Sequence, residues 1–172
     1  SHPYNLSLFA TVVERLGDAK GEAWLKGMVD NMARAPKGGD TDQVRAVASG
    51  ECGVALTNTY YLARLIKSDK PEDRKTMEKV RVAFPNQGSS GTHVNIGGAA
   101  VAKHAKHPEN AVLFMEYLAS PFAQEYFANG NHEFPVAKGV KLDNPALKAM
   151  GGDKFKAENI PLGVVAKNLT KV

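Results

Sequence analysis

Gly53-Val54-Ala55-Leu56-Thr57-Asn58-Thr59-Tyr60-Tyr61-Leu62-Ala63-Arg64-Leu65-Ile66-Lys67 decides the reading of this chain. Its first five residues are apolar and bounded by turn formers, which predicts a buried strand. The remainder repeats apolar side chains at helical spacing, which predicts a helix over 60–67. Asn58-Thr59 stands at the junction as a helix cap. A second strand is expected over Val80-Arg81-Val82-Ala83-Phe84, ended by Pro85, after a polar helix from Glu72 to Glu78. Short buried strands alternating with helices argue for an α/β sandwich with a largely parallel sheet. Ligands of such sheets collect at strand C-terminal ends, where helix N-termini also point.

Upstream, Leu6, Leu8, Phe9, Val12, Val13 and Leu16 share one helical face that follows Tyr4 and stops at Gly17. A second helix is expected from Glu22 to Ala33, broken by Pro36-Lys37-Gly38-Gly39. A short third helix, Asp42 to Ala48, is capped at Asp40 or Thr41 and closed by Gly50. Downstream, Gly88-Ser89-Ser90-Gly91 is the best linker candidate, where the chain could cross between lobes. An alternating stretch Thr92 to Ile96 follows and continues extended to Val101. Helices are expected over Pro108 to Leu118 and Pro121 to Ala128, each with Pro in its first turn. The tail holds a turn-helix at Asn144-Pro145 and an apolar run from Ile160 to Val165.

A length of 172 residues suits one generous domain or two small lobes. Twenty-two Lys+Arg against eighteen Asp+Glu leave a net charge of +4, spread along the chain. That distribution describes a solvated mixed-charge surface, and no nucleic-acid partner is expected. No apolar run approaches the roughly 20 residues that span a bilayer. The start, Ser1-His2-Pro3-Tyr4, has neither an initiator Met nor a basic region followed by an apolar one, so a soluble chain, processed or cut, is expected. The single cysteine, Cys52, excludes an internal disulfide framework and a Cys-based zinc site. It reads as a small buried hydrophobe, the alternative being a pairing outside these residues.

The search for catalytic sets is negative: no GxSxG, HExxH, CxxC, Walker loop or GxGxxG stands in the required context, and no enzyme is expected. His104 and His107 lack a third ligand and are flanked by Lys103 and Lys106, which disfavours a cation. His93 and His132 read as structural. Gly38-Gly39-Asp40-Thr41-Asp42 precedes a helix, but its two carboxylates work against an anion there, and it reads as a capped loop. Tyr60-Tyr61 is different. Adjacent helical residues diverge by about 100°, so one ring in the core and one in solvent is the generic expectation. Both phenols, however, occupy the first turn of a helix, where the positive dipole end favours a phenolate. A phenol with a pKa near 10 is ordinarily neutral. A trivalent hard cation reverses that preference and selects anionic oxygen over thiolate.

The run Thr41 to Cys52 (TDQVRAVASGEC), followed by Asn58 to Leu65 (NTYYLARL), resembles the ferric-ion-binding proteins of bacterial iron ABC transporters. Thr92 to Ala99, Phe114 to Gln124 and Asn129 to Val136 resemble the later parts of that family in the same order. The resemblance covers nearly the whole chain. It implies an α/β fold of the periplasmic-binding-protein type II kind, with three-layer α/β/α lobes and a chain crossover, of which this is the incomplete, C-terminal half. Residues 1–88 would form most of the C-terminal lobe, 89–141 the crossover and a contribution to the N-terminal lobe, and 142–172 the return. It further implies a location in the periplasm or at the outer face of the cytoplasmic membrane, Fe(3+) as cargo, delivery to an ABC permease, and a missing N-terminal lobe as partner.

The family's paired iron-binding tyrosines fall on Tyr60 and Tyr61, and Tyr4 matches an extra tyrosine that one subgroup uses in place of a bound anion. Three phenolates cancel a 3+ ion, so a partly buried site carries no net charge. Asn58 matches a position that helps hold the synergistic anion in other relatives. Asp40 stands where those relatives commonly carry an amide, which favours the anion-independent mode. Ligands from the first lobe have no counterpart here. Tyr117 and Tyr126 read as core or rim residues, not ligands. The alternative reading is a solute-binding protein of the same fold for an organic or oxyanion ligand, with Tyr60 and Tyr61 stacking on or hydrogen-bonding the solute.

Overall fold

The computed structural model describes residues 2–152 and 154–172. In chain order they form α1 (Pro3–Leu16), α2 (Asp18–Asp30), α3 (Asp40–Ser49), α4 (Thr59–Lys67), α5 (Pro71–Lys79), α6 (Pro108–Leu118), α7 (Pro121–Tyr126), α8 (Pro145–Ala149) and α9 (Leu162–Asn168). A π turn, Phe127–Asn131, continues α7, and a 3-10 turn, Leu169–Lys171, continues α9. Most helices fall where apolar periodicity and proline placed them, although α2 starts at Asp18 and not Glu22, and α9 forms where only an apolar run was read. Helices α1, α5, α6, α7 and α8 all open on Pro, whose missing N–H costs nothing in a first turn.

The expected strands do not form. Residues 53–57 and 80–84 carry no ladder pairing, and Val54 and Leu56, expected in a core, are 81% and 52% exposed. Among the described residues the β pairing is one parallel bridge, Thr92 with Ala157. A helix closes its hydrogen bonds within itself, whereas a strand exists only against a neighbour. The apolar runs therefore specify extended backbone, and the sheet of an α/β sandwich is not built from these residues alone.

Contacts divide the chain into two compact units: Ser1–Lys37 with Ala83–Gly97 and Phe155–Val172, and Gly38–Val82 with Gly98–Lys154. In the first, α1 packs on α2 and α9. Gly21 of α2 allows this close approach, since a Cβ there would meet Val13 Cα at 3.0 Å. Phe9 meets the half-buried Trp24 edge to face, with ring centroids 6.2 Å apart. The tail returns beside Thr92, whose N–H donates to the Lys156 carbonyl at 2.8 Å while its own carbonyl accepts from Glu158 N–H at 2.7 Å. Gly91 makes this possible: its φ is +94°, and a Cβ would lie 2.7 Å from the Ala157 carbonyl oxygen. The buried Glu158 carboxylate is paired with Arg15 and lies 3.3 Å from His93 Nδ1.

The second unit is built around Val44, Leu62, Ala63, Leu65, Val80, Ala146, Leu147 and Met150, contributed chiefly by α3, α4 and α8. Asn144, 1% exposed, is satisfied on every side. Its Oδ1 caps α8 by accepting from the N–H groups of Ala146 and Leu147. Its Nδ2 donates to the Ala128 carbonyl at 2.7 Å and lies 2.9 Å from His132 Nδ1. Asp73, buried on α5, accepts from Arg45 of α3 at 3.0 Å and from Ser68 Oγ at 2.6 Å. These contacts hold the phenol-bearing helix α4 from behind.

Candidate functional site

Helix α4 starts where Asn58 keeps extended backbone (φ −78°, ψ 144°) and Thr59 turns helical, which places Tyr60 and Tyr61 in its first turn. Leu62, Ala63 and Leu65 are buried beneath. The generic expectation of one ring inside and one outside is wrong: both rings are half-buried and face each other at 4.5 Å between centroids, tilted by 40°. The guanidinium of Arg64 lies over both, its Cζ 5.4 Å from the Tyr60 centroid and 5.5 Å from that of Tyr61. This residue was missed in the sequence. Its spacing, i+4 from Tyr60 and i+3 from Tyr61, was the available signal.

The Tyr60 phenol is pushed up to about 12, first by burial, then by its hydrogen bond to Tyr61 and by the charges of Tyr61 and Asp40. Arg64 pulls the other way. Asp40, the first residue of α3, turns its Oδ1 to the junction before α4: it accepts from Thr57 Oγ1 at 3.0 Å and from Asn58 N–H at 3.3 Å. Asn58 occupies the cap position as expected, but its side chain makes no capping hydrogen bond.

Tyr4 belongs to the first unit, in the first turn of α1 behind Pro3, with its ring 3.8 Å from that of His2. It lines a cavity of about 360 Å³ whose polar wall comprises His2, Ser7, His93, Asn95 and Glu158. Ser7 Oγ donates to the Tyr4 carbonyl at 2.9 Å. Burial lowers the pKa of His93, opposed by its hydrogen bond to Asn95 and reinforced by the charge of Arg15. His132, buried beside Asn144, is lowered by burial and by Lys67 and Arg64.

Of the residues set aside, His104 and His107 are exposed, and among the described residues no group of three or more His, Cys, Asp or Glu side chains could hold a metal. Cys52 is half-buried and free. Tyr117 and Tyr126 are exposed, outside the core. Tyr117 stands between Phe114 and Phe122 at 6.5 and 6.4 Å. No helix described is long and apolar enough to cross a membrane.

Over residues 7–154 the chain matches the bacterial extracellular solute-binding proteins, and it belongs to that family. It is 48% identical over 165 residues to Iron uptake protein A2 of Synechocystis sp., a match covering 93% of this chain and 47% of that protein. A Trichodesmium protein (IdiA, FutA) solved in complex with iron and citrate ligands superposes with a TM-score of 0.91 at 46% identity, covering 98% of this chain and 52% of the other. A ferric binding protein from Campylobacter jejuni gives 0.90 at 38% identity, with 98% and 52% covered. The chain therefore has part of a solute-binding-protein fold and spans about half the length of the relatives it matches.

Proposed function

We propose that this chain is the C-terminal portion of a ferric-iron-binding protein that captures Fe(3+) in the periplasm, or at the outer face of the cytoplasmic membrane, and delivers it to an ABC permease without catalysing a reaction. Tyr60, Tyr61 and Tyr4 act as phenolate ligands, and the missing N-terminal lobe supplies the rest of the coordination shell. In the complete protein, residues 1–88 serve most of one lobe, 89–141 the crossover, and 142–172 the return, with extended segments such as 53–57 paired in the sheets of type II α/β/α lobes. The relatives named for iron uptake and ferric binding support this reading.

The observation that carries it is the Tyr60–Tyr61 pair: two half-buried phenols in one helical turn, face to face beneath a single guanidinium. With Tyr60 raised to about 12, its phenol is neutral at ordinary pH, and a weakly polarising cation gains little from it. A small trivalent ion has the charge density to displace the phenolic protons, and three phenolates then neutralise it. Each proton released adds a factor of about ten in affinity per pH unit, so binding rises steeply with pH.

Titration with ferric citrate tests the proposal. A visible phenolate-to-iron charge-transfer band growing to saturation is expected. A colourless protein at saturating iron overturns the ferric reading.

A further inference from the structure

The junction that starts α4 is secured by another helix. Asp40 Oδ1 accepts from the Thr57 hydroxyl at 3.0 Å and from the Asn58 backbone N–H at 3.3 Å. These are the last residue of the extended run and the cap residue of α4, separated from Asp40 by seventeen and eighteen positions. The Asn58 side chain makes no cap bond of its own. The place where α4 begins is therefore set by a carboxylate from the first turn of α3, with Tyr60 and Tyr61 immediately beyond it. The same carboxylate opposes an anion at Tyr60, so its charge works against a phenolate while its geometry works for one.

From this we infer that Asp40 is a positioning residue: through Thr57 and Asn58 it fixes the first turn of α4, and thereby the spacing of the two phenol oxygens that hold the metal. The inference deepens the ferric-iron reading and rests on it for its metal arm. What α4 needs from position 40 is an acceptor oxygen, not a charge. Asparagine retains that oxygen and removes the charge, alanine removes both, and Thr57→Val deletes one donor while keeping the Asn58 bond.

The experiment compares wild type, Asp40→Asn, Asp40→Ala and Thr57→Val by amide hydrogen exchange across Asn58 to Leu62 without metal, and by the ferric charge-transfer band and affinity. Asp40→Ala should speed exchange at Asn58 to Tyr61 and weaken ferric affinity by about tenfold or more, the scale of losing a charged acceptor, with the band shifted in energy. Thr57→Val should do the same to a smaller extent. Asp40→Asn should restore slow exchange and bind iron at least as tightly as wild type. Equal impairment of Asn and Ala, or an Ala variant indistinguishable from wild type in exchange and in band energy, overturns the inference. If Asp40→Ala does not fold, the Asn and Thr57→Val comparison decides alone. A colourless wild type rejects the ferric reading, and the exchange arm still judges whether Asp40 fixes the turn.

Discussion

Helix α4 buries Leu62, Ala63 and Leu65 within nine residues, whereas α6 buries none of its eleven. Both were predicted from apolar spacing, and both form. In α6, Val112, Leu113, Phe114 and Tyr117 remain exposed. Periodicity thus specifies that a helix will exist, but only an opposing surface decides whether its apolar stripe becomes a core. The difference bears on the proposed function, because the phenols sit on the helix whose inner face is held. A side chain on an anchored helix keeps its geometry, and a metal site demands that.

Breaking the contrast at the phenols should have the largest effect. Tyr60→Phe with Tyr61→Phe keeps both rings and removes both anionic oxygens, so ferric binding should fall by at least about a thousandfold while circular dichroism and thermal stability change little. Tyr117→Phe on α6 should alter neither. Wild-type affinity in the double variant would show these phenols to be ordinary helix residues.

The second contrast concerns packing. Leu147, 0% exposed in the core that supports α4, should lose about 2–5 kcal/mol on truncation to Ala in denaturant unfolding. Leu113→Ala, at a position 62% exposed on α6, should fall within about 0.5 kcal/mol of wild type. Equal losses would mean that α6 is buried in solution.

Acid sharpens the picture further. His93 and His132 are both depressed in the folded chain, so the unfolded chain takes up their protons first. Stability is complete above the unfolded value of about 6.5 and declines as pH falls from there toward the lower folded values. Thermal melts between neutral and mildly acidic pH should show this decline. His132→Gln, beside the core that carries α4, should flatten it. A pH-independent melting temperature would contradict the assignment.

The smallest effect is expected at Arg64. Replacing it with Met removes the cation over both rings and a charge that eases Tyr60 ionisation, so ferric affinity should drop by about three- to fivefold at neutral pH, measured by competition with citrate. Unchanged affinity would leave the guanidinium as surface decoration.

The helical framework was legible because its signals are local. Pro108 and Leu118 bound α6 as read, and Gly17 ends α1. The strands over 53–57 and 80–84 were not, since their fate depends on a neighbour that an apolar run cannot announce. At the site, the Tyr60–Tyr61 pair was visible as phenols in a helix first turn, whereas Tyr4 was read as preceding a helix, and the family resemblance gave all three a role. Their mutual facing was not foreseen, because adjacent residues were expected to diverge. Arg64 was accessible from spacing alone. Asp40 was singled out, but its bonds to Thr57 and Asn58 join positions far apart in sequence, and only folding brings them together.

The edge-to-face meeting of Trp24 with Phe9 gives the chain an optical division of labour. The sequence holds a single tryptophan, and it lies in the first unit, between α1 and α2. Its emission consequently reports the melting of that helical pair and nothing of the core around Leu147. Four of the five tyrosines, Tyr60, Tyr61, Tyr117 and Tyr126, lie in the second unit, so tyrosine absorbance set against tryptophan emission weights that unit during a single denaturation. Coincident traces would reveal one cooperative molecule, and separated traces two bodies that come apart in turn.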